Sequence, residues 1–302
     1  MARYLDPKND LTFKRLFGEH PALLINFLNA VMPFEEGRHI LEIEYLPAEQ
    51  VPENPGKKNS IVDVKCKDNY DRQFIIEMQM DWEALFLNRI VFNAGKAYVR
   101  QLDRREVYQL LHPVYTLAIL NENYDHKTPQ FYHHYQIVNR ENTDEIIPGL
   151  EFVLVELEKL QPSTVSERKL AVLWLRFLKE VNESITELPP EMQENDYIRQ
   201  AAELCEESAF TPAELATYEK YWDMIRLDLS IKESSQQKGM AKGREEGMAK
   251  VREEGMAKGR EEEREKIVIN CHLTGLPVES ISKITGLSSE QIADILKQHN
   301  IK

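Results

Sequence analysis

The chain is short of cysteine, of excess basic charge and of long apolar runs. Its three cysteines, Cys66, Cys205 and Cys271, stand far apart among 302 residues. That spacing excludes a disulfide scaffold or a Cys-based metal site and points to reduced thiols. No apolar run reaches the ~18 residues that a membrane-spanning helix needs. The opening segment MARYLDPKND is polar and has no hydrophobic region, so no secretory signal is expected. The expectation is a cytoplasmic protein without a membrane partner. The formal net charge is −13, whereas proteins that coat nucleic acid carry a basic field. What stays open is an enzyme with a local basic groove, or one that meets phosphate through a metal cation. The acidity is uneven, because residues 231–302 hold 13 basic and 12 acidic side chains. No glycine-rich phosphate loop follows a strand.

What is present is enough for a real core, at 42% hydrophobic residues. Residues 10–31 show helical apolar spacing interrupted near Gly18 and Pro21. HILEIEYLP (39–47) alternates as a strand, and PENPGKKNS (52–60) is turn chemistry. Strands are expected over 60–66 and 73–80, a long helix over 82–102, and further strands at 112–120 and 151–157. The run HPVYTLAIL at 112–120 is apolar throughout, the pattern of a strand covered on both faces. This order predicts an α/β fold with a mixed sheet flanked by helices, plus C-terminal helical segments. The expected domains are a core at 1–160, a helical appendage at 161–235, a charged repeat at 236–263 and a small helical module at 264–302. In the repeat, GMAKGREE, GMAKVREE and GMAKGREE follow one another with glycine every few residues. We read it as a semi-flexible spacer, with a glycine-faced helix for pairing with another copy as the alternative. Glu246–Lys250 and Glu254–Lys258 have the spacing of helical ion pairs. The end module, VESISKITG and SSEQIADIL around Gly286, has a helix-turn-helix layout, with Ser288 and Gln291 placed for a capping box. The same layout serves as an ordinary three-helix end.

One stretch resists a purely structural reading: IVDVKCKDNYDRQFIIEMQM, residues 61–80. Side chains alternate faces along a strand, so Ile75, Glu77 and Gln79 share one face. A hairpin centred on Tyr70 puts Asp63 directly across from Glu77, with Lys65 on the same face. Like charges facing each other destabilise a sheet. The pair therefore calls for a bound divalent cation, for protonation of one acid, or for a wet face. Apolar neighbours on the same face argue against the wet face, and Gln79 adds a neutral donor and acceptor beside the pair.

Asp63 followed by Glu77-x-Gln79 at the end of the next strand resembles the PD-(D/E)XK nuclease core. More narrowly, the chain resembles the bacterial recombination-promoting nuclease/transposase (Rpn) family. NDLTFKRLFG at 9–18, Arg89 and Tyr98 in the long helix, LVELEKL after the last strand, the glycine-spaced repeat and ITGLSSEQI all fall in that family's order. The resemblance implies a metal-dependent DNA endonuclease associated with recombination or transposition. Asp63, Glu77 and the carbonyl of Met78 would ligate Mg²⁺ (or Mn²⁺ or Ca²⁺). Val62 replaces the proline of the motif and Gln79 the lysine. Glutamine can hydrogen-bond but supplies no positive charge, so Lys65, Lys14 and Lys96 are the candidate substitutes. Asp10 is either a further acid near the metal or the N-cap of the first helix. Arg89 is a phosphate clamp, a partner of Glu77 or a surface residue. The Tyr98 ring packs in the core with its hydroxyl at the edge of the site. His133 and His134 fall on opposite strand faces and read as structural. DNA is the expected partner, and the C-terminal segment offers a route to homo-oligomers. Two rival readings stand beside the endonuclease. One is a nuclease fold weakened into a DNA-binding or interaction module, and the other a toxin-like phage-defence nuclease regulated by its C-terminal module.

Overall fold

The computed structural model describes residues 3–50, 60–81, 83, 85–103, 105–161, 169–299 and 301. Most of the expected 52–60 turn, and Trp82 in the expected long helix, lie outside the described residues. The chain divides into two compact units, residues 1–224 and 225–302.

The first unit is built on a six-stranded mixed sheet. Helices α1 (Asp10–Gly18) and α2 (Pro21–Val31) precede strands β1 (Ile43–Tyr45), β2 (Glu49–Gln50), β3 (Ser60–Ile61), β4 (Val64–Asp68) and β5 (Gln73–Gln79). Then come helix α3 (Phe86–Val99) and strands β6 (Val114–Leu120), β7 (Tyr132–Val138) and β8 (Ile146–Glu156). The sheet order is β1-β4-β5-β6-β8-β7, with β2 and β3 paired separately. Strands β5, β6 and β8 are parallel, while β4 and β7 run antiparallel at either side. Helix α3 makes the crossover from β5 to β6 that a parallel pair requires. The fold class expected from sequence is thus the one observed.

Burial follows the alternation of side chains. Phe74 and Ile76 of β5 join Phe13, Phe17, Phe27 and Trp174 in the largest core, beneath α1, α2 and helix α4 (Lys169–Glu180). Ile75 turns the other way and packs with Ala94 and Ala97 of α3. Both faces are therefore covered, which is why β5 and β6 read as nearly continuous apolar runs.

The β4–β5 hairpin forms in the expected register, with Val64 opposite Ile76 and Lys65 opposite Ile75. Asp68 holds its turn, accepting the Tyr70 amide at 2.9 Å, the Arg72 amide at 3.0 Å and Arg72 Nε at 2.7 Å. Asp71 closes it at φ 57°, a left-handed conformation that Asp tolerates better than most residues. The expected strand over 60–66 is broken, however. Ser60–Ile61 pairs with β2, the chain bends at Asp63, and β4 starts only at Val64. The 39–47 strand also shortens to Ile43–Tyr45, because the Asn29 side chain bonds both backbone groups of Ile40 at 2.8 Å and draws that residue into the core.

The remaining helices are α5 (Pro190–Gln193), α6 (Asp196–Cys205), α7 (Pro212–Leu273), α8 (Val278–Thr285) and α9 (Ser289–Gln298). Thr211 and Glu214 close the capping box that starts α7, through Thr211 N to Glu214 at 2.7 Å and Glu214 N to Thr211 Oγ1 at 3.3 Å. The glycine repeat takes the helical alternative and lies inside α7. Its ion pairs have the opposite order from those expected: Lys242–Glu246 at 3.8 Å and Lys250–Glu254 at 4.0 Å. Both are solvent-exposed and contribute little stability. In the second unit, Val268 of α7 packs with Ile281 of α8 and Ile292 and Leu296 of α9. Gly286 ends α8 at φ 72°, and the Ser288–Gln291 capping box starts α9, as their spacing predicts. Among the described residues, no helix is long and apolar enough to cross a membrane.

Candidate active site

The bend before β4 decides how the two acids meet. Because the chain leaves the ladder at Asp63, that residue offers a side chain where a strand would offer backbone. Its Oδ2 accepts the Met78 amide at 2.7 Å, a charge-assisted bond that continues the β4–β5 pairing. Gln73 N donates to Pro113 O and Gln79 O accepts from Asn121 N, so the odd residues of β5 turn their peptide groups toward β6. Met78 therefore turns its amide and its carbonyl toward β4, onto the Asp63 side.

Glu77 stands beside this bond and is only 6% exposed. Asn93 of α3 donates to Glu77 Oε1 at 3.0 Å. Burial, and then the charge of Asp63, push the Glu77 carboxyl up to about 7, against the Asn93 bond and Arg89, which lower it. Burial also raises the Asp63 carboxyl. The Met78 amide opposes that shift, the charge of Asp10 adds to it, and Lys14 and Arg89 oppose it. Among the described residues, neither acid forms a salt bridge. A half-buried Asp63 thus acts through its charge on a buried Glu77, with little positive charge to offset it.

The donor set suits a hard cation. Asp63 and Glu77 offer carboxylate oxygens, and Asn93 Oδ1 is buried with no hydrogen-bond partner among the described residues. Mg²⁺ takes oxygen ligands and is commonly held by one or two carboxylates, with waters and substrate phosphate completing its shell. In keeping with so sparse a site, no group of three or more His, Cys, Asp or Glu among the described residues is arranged to hold a metal.

The other sequence candidates divide. Asn9, not Asp10, caps α1, its side chain accepting the Leu11 amide. Asp10 is freed from that role, pairs with Lys14 at 2.7 Å, and acts on Asp63 through its charge. Arg89 reaches the site but bonds Gln79 Oε1 rather than Glu77. Gln79 Nε2 donates to Asp81 O at 2.6 Å, so both ends of that amide are engaged. Lys65 is not brought to the acids; burial and the nearby Arg100 lower its pKa. Lys96 bonds Gln50 O at 2.6 Å and Ser60 Oγ at 3.1 Å. Tyr98 packs against Gly149, at the end of the sheet where β5, β6 and β8 begin. A Cβ on that glycine, whose φ is 150°, would meet the ring at 3.4 Å. His133 and His134 take separate partners, Glu156 at 2.7 Å and Glu151 at 2.9 Å.

Asn93 escaped the sequence reading, although its signal was available. It lies four residues after Arg89 on the stripe of Phe86, Ile90 and Ala97, a polar residue on the buried face of an amphipathic helix.

A family model described as "PD-(D/E)XK nuclease family transposase" matches residues 7–235. No curated protein and no solved structure matches the chain.

Proposed function

The chain belongs to the PD-(D/E)XK nuclease family of transposases, and from that premise we propose that it is a divalent-metal-dependent DNA endonuclease hydrolysing phosphodiester bonds. The observation that carries the reading is the pairing of half-buried Asp63, which accepts the Met78 amide, with buried Glu77, raised to about 7 by burial first and by the charge of Asp63 second. Asp63, Glu77 and the Met78 carbonyl would hold Mg²⁺, with Mn²⁺ or Ca²⁺ as alternatives. When bound, such an ion lowers the pKa of a water and stabilises charge on the phosphate being cleaved.

The chain's own residues do the rest. The Met78 amide holds the Asp63 carboxylate at a single angle, and Asn93 does the same for Glu77. Gln79 serves as a bracket for Arg89, accepting its guanidinium while its amide end is tied to Asp81 O. The positive charge that a lysine at position 79 would bring is then supplied by Arg89, whose fork suits a phosphate oxygen. Lys14, held by Asp10, adds a second cation on the α1 side. A role in recombination or transposition follows from the family reading and belongs to the same proposal.

A second reading rests on Gln79. With one bond already made at each end of its amide, it has less capacity left to orient water, and a weakened nuclease that binds DNA without efficient cutting fits that observation. Calorimetric titration of Mg²⁺ and Mn²⁺ into wild type and Asp63→Ala tests what the two readings share. Saturable one-site binding in wild type and its loss in Asp63→Ala are expected. Equal heats from both proteins would remove the metal site.

A further inference from the structure

Helix α7 starts in the first unit, and its opening turns lie along the N-terminus of α1. Tyr218 buries its ring with Leu5 and Phe210, and Leu11, Leu215 and Trp222 pack around that cluster. The Tyr218 hydroxyl accepts the Asp6 amide at 2.9 Å, and its carbonyl accepts from Asn9 Nδ2 at 3.3 Å. One turn away, Arg15 of α1 bonds Glu214 at 2.9 Å. These contacts fix the rotation of α7. Residue 221 follows Tyr218 by three positions and so lies on the same side of the helix.

That residue is Tyr221. Its ring is held by Trp222, with centroids 5.6 Å apart. Burial raises the pKa of its hydroxyl, and the charges of Asp10, Asp63 and Asp6 add to that rise. The hydroxyl has no hydrogen-bond partner among the described residues, although it stands in a half-buried position beside acceptor groups. A phenol in such a place is an unspent donor with no charge of its own.

We infer that Tyr221 is a DNA-contacting residue of the Asp63–Glu77 site, its hydroxyl donating to a non-bridging oxygen of the bound phosphate. This rests on the nuclease reading above and extends the site to a helix that follows the α/β core. A cation at this position would be drawn into pairing with Asp10 or Asp63. A neutral donor leaves Asp63 for the metal and Asp10 for Lys14, and still offers a hydrogen bond to an anion, and hydrogen bonds to charged groups are the stronger kind.

The test is the affinity of the full-length protein for a fluorescently labelled duplex, read by anisotropy in Ca²⁺. Tyr221→Phe keeps the ring and removes the hydroxyl. We expect its Kd to rise by about 10-fold with Tm unchanged, the scale of one hydrogen bond to a charged group. The salt dependence of binding is expected to stay that of wild type, because a phenol neutralises no phosphate charge. Trp222→Phe, which keeps an aromatic ring against Tyr221 and Tyr218 and leaves the Tyr221 hydroxyl in place, serves as control and should bind as wild type does. Tyr221→Phe binding within about twofold of wild type overturns the inference and leaves the nuclease reading standing. An equal loss in Trp222→Phe, or a matching fall in Tm, also overturns it, by assigning the effect to packing. Wild type that binds no duplex overturns both together.

Discussion

Asp63→Ala and Glu77→Ala are each expected to abolish Mg²⁺-dependent nicking of supercoiled plasmid, lowering the rate on the order of 100-fold or more while the protein stays folded. This is the largest effect expected of any substitution in the chain, because each acid does two things at once. On the proposed reading it would supply an oxygen to the cation, and it sits in a setting partly or wholly shielded from solvent, where electrostatic contacts are worth more than in water. Asp63→Ala also frees the Met78 amide, so its damage extends to the backbone oxygen next in line. Glu77→Ala leaves Asn93 Nδ2 without its acceptor, a smaller local fault. Gel analysis of supercoiled, nicked and linear plasmid with and without EDTA reads the result. Two mutants that cut as fast as wild type would show that the chemistry lies elsewhere.

The second large effect is on stability, and its sign is opposite to the effect on cutting. The Glu77 carboxyl is raised from its ordinary 4.5 to about 7, by burial first and by Asp63 second. Between those two values the folded protein holds a proton that the unfolded chain releases. The protonated acid therefore stabilises the fold fully below about 4.5, and that stabilisation declines as pH rises toward 7. In EDTA the loss should amount to roughly 3.5 kcal/mol by pH 8, for the rise from 4.5 to about 7 at ~1.4 kcal/mol per pKa unit. Glu77→Gln carries no such penalty. It should exceed wild type in stability at pH 8 by a similar margin and match it near pH 4.5. Urea unfolding of both proteins across this range gives the difference directly, so that other titrating groups cancel. Mg²⁺ should then stabilise wild type and leave Glu77→Gln unmoved. A difference that is flat with pH would mean that Glu77 is not the strained acid.

These two expectations rest on parts of the chain that differ in how readily they can be read. The hairpin register could be read from the sequence, since alternation and a turn centred on Tyr70 leave one pairing that buries Phe74 and Ile76 together. The caps of α7 and α9 were equally plain, because Thr211–Glu214 and Ser288–Gln291 are local signals with local causes. The bend at Asp63 was hidden, because it depends on the pairing of Ser60–Ile61 with a strand ten residues earlier. The engagement of Gln79 by Arg89 was hidden for a similar reason: the helix phase that aims Arg89 is set by packing of Phe86 and Ile90 beneath β6 and β8. Gly239, Gly243 and Gly247 weighed against helix on propensity. The Ala, Met, Lys, Arg and Glu between them are strong helix formers, and α7 runs through. The Tyr98 ring packs in the core with Ala94, Ala97 and Val114, and its contact with Gly149 depends on where α3 carries a residue nine positions after Arg89.

The hairpin also works as a ruler. The spacing of the two acids is measured out by β4, the turn after Asp68 and the first residues of β5, all of which lie apart from Asp63 and Glu77. Side chains alternate with a period of two, so adding or removing one residue in that turn rotates everything beyond it by half a period. The reactive face thus inherits its geometry from a loop at the far end of the strands. Paired trimming, one residue from each arm, shortens the ruler and keeps its zero mark, whereas a single insertion at the tip disarms the site without touching any of its atoms.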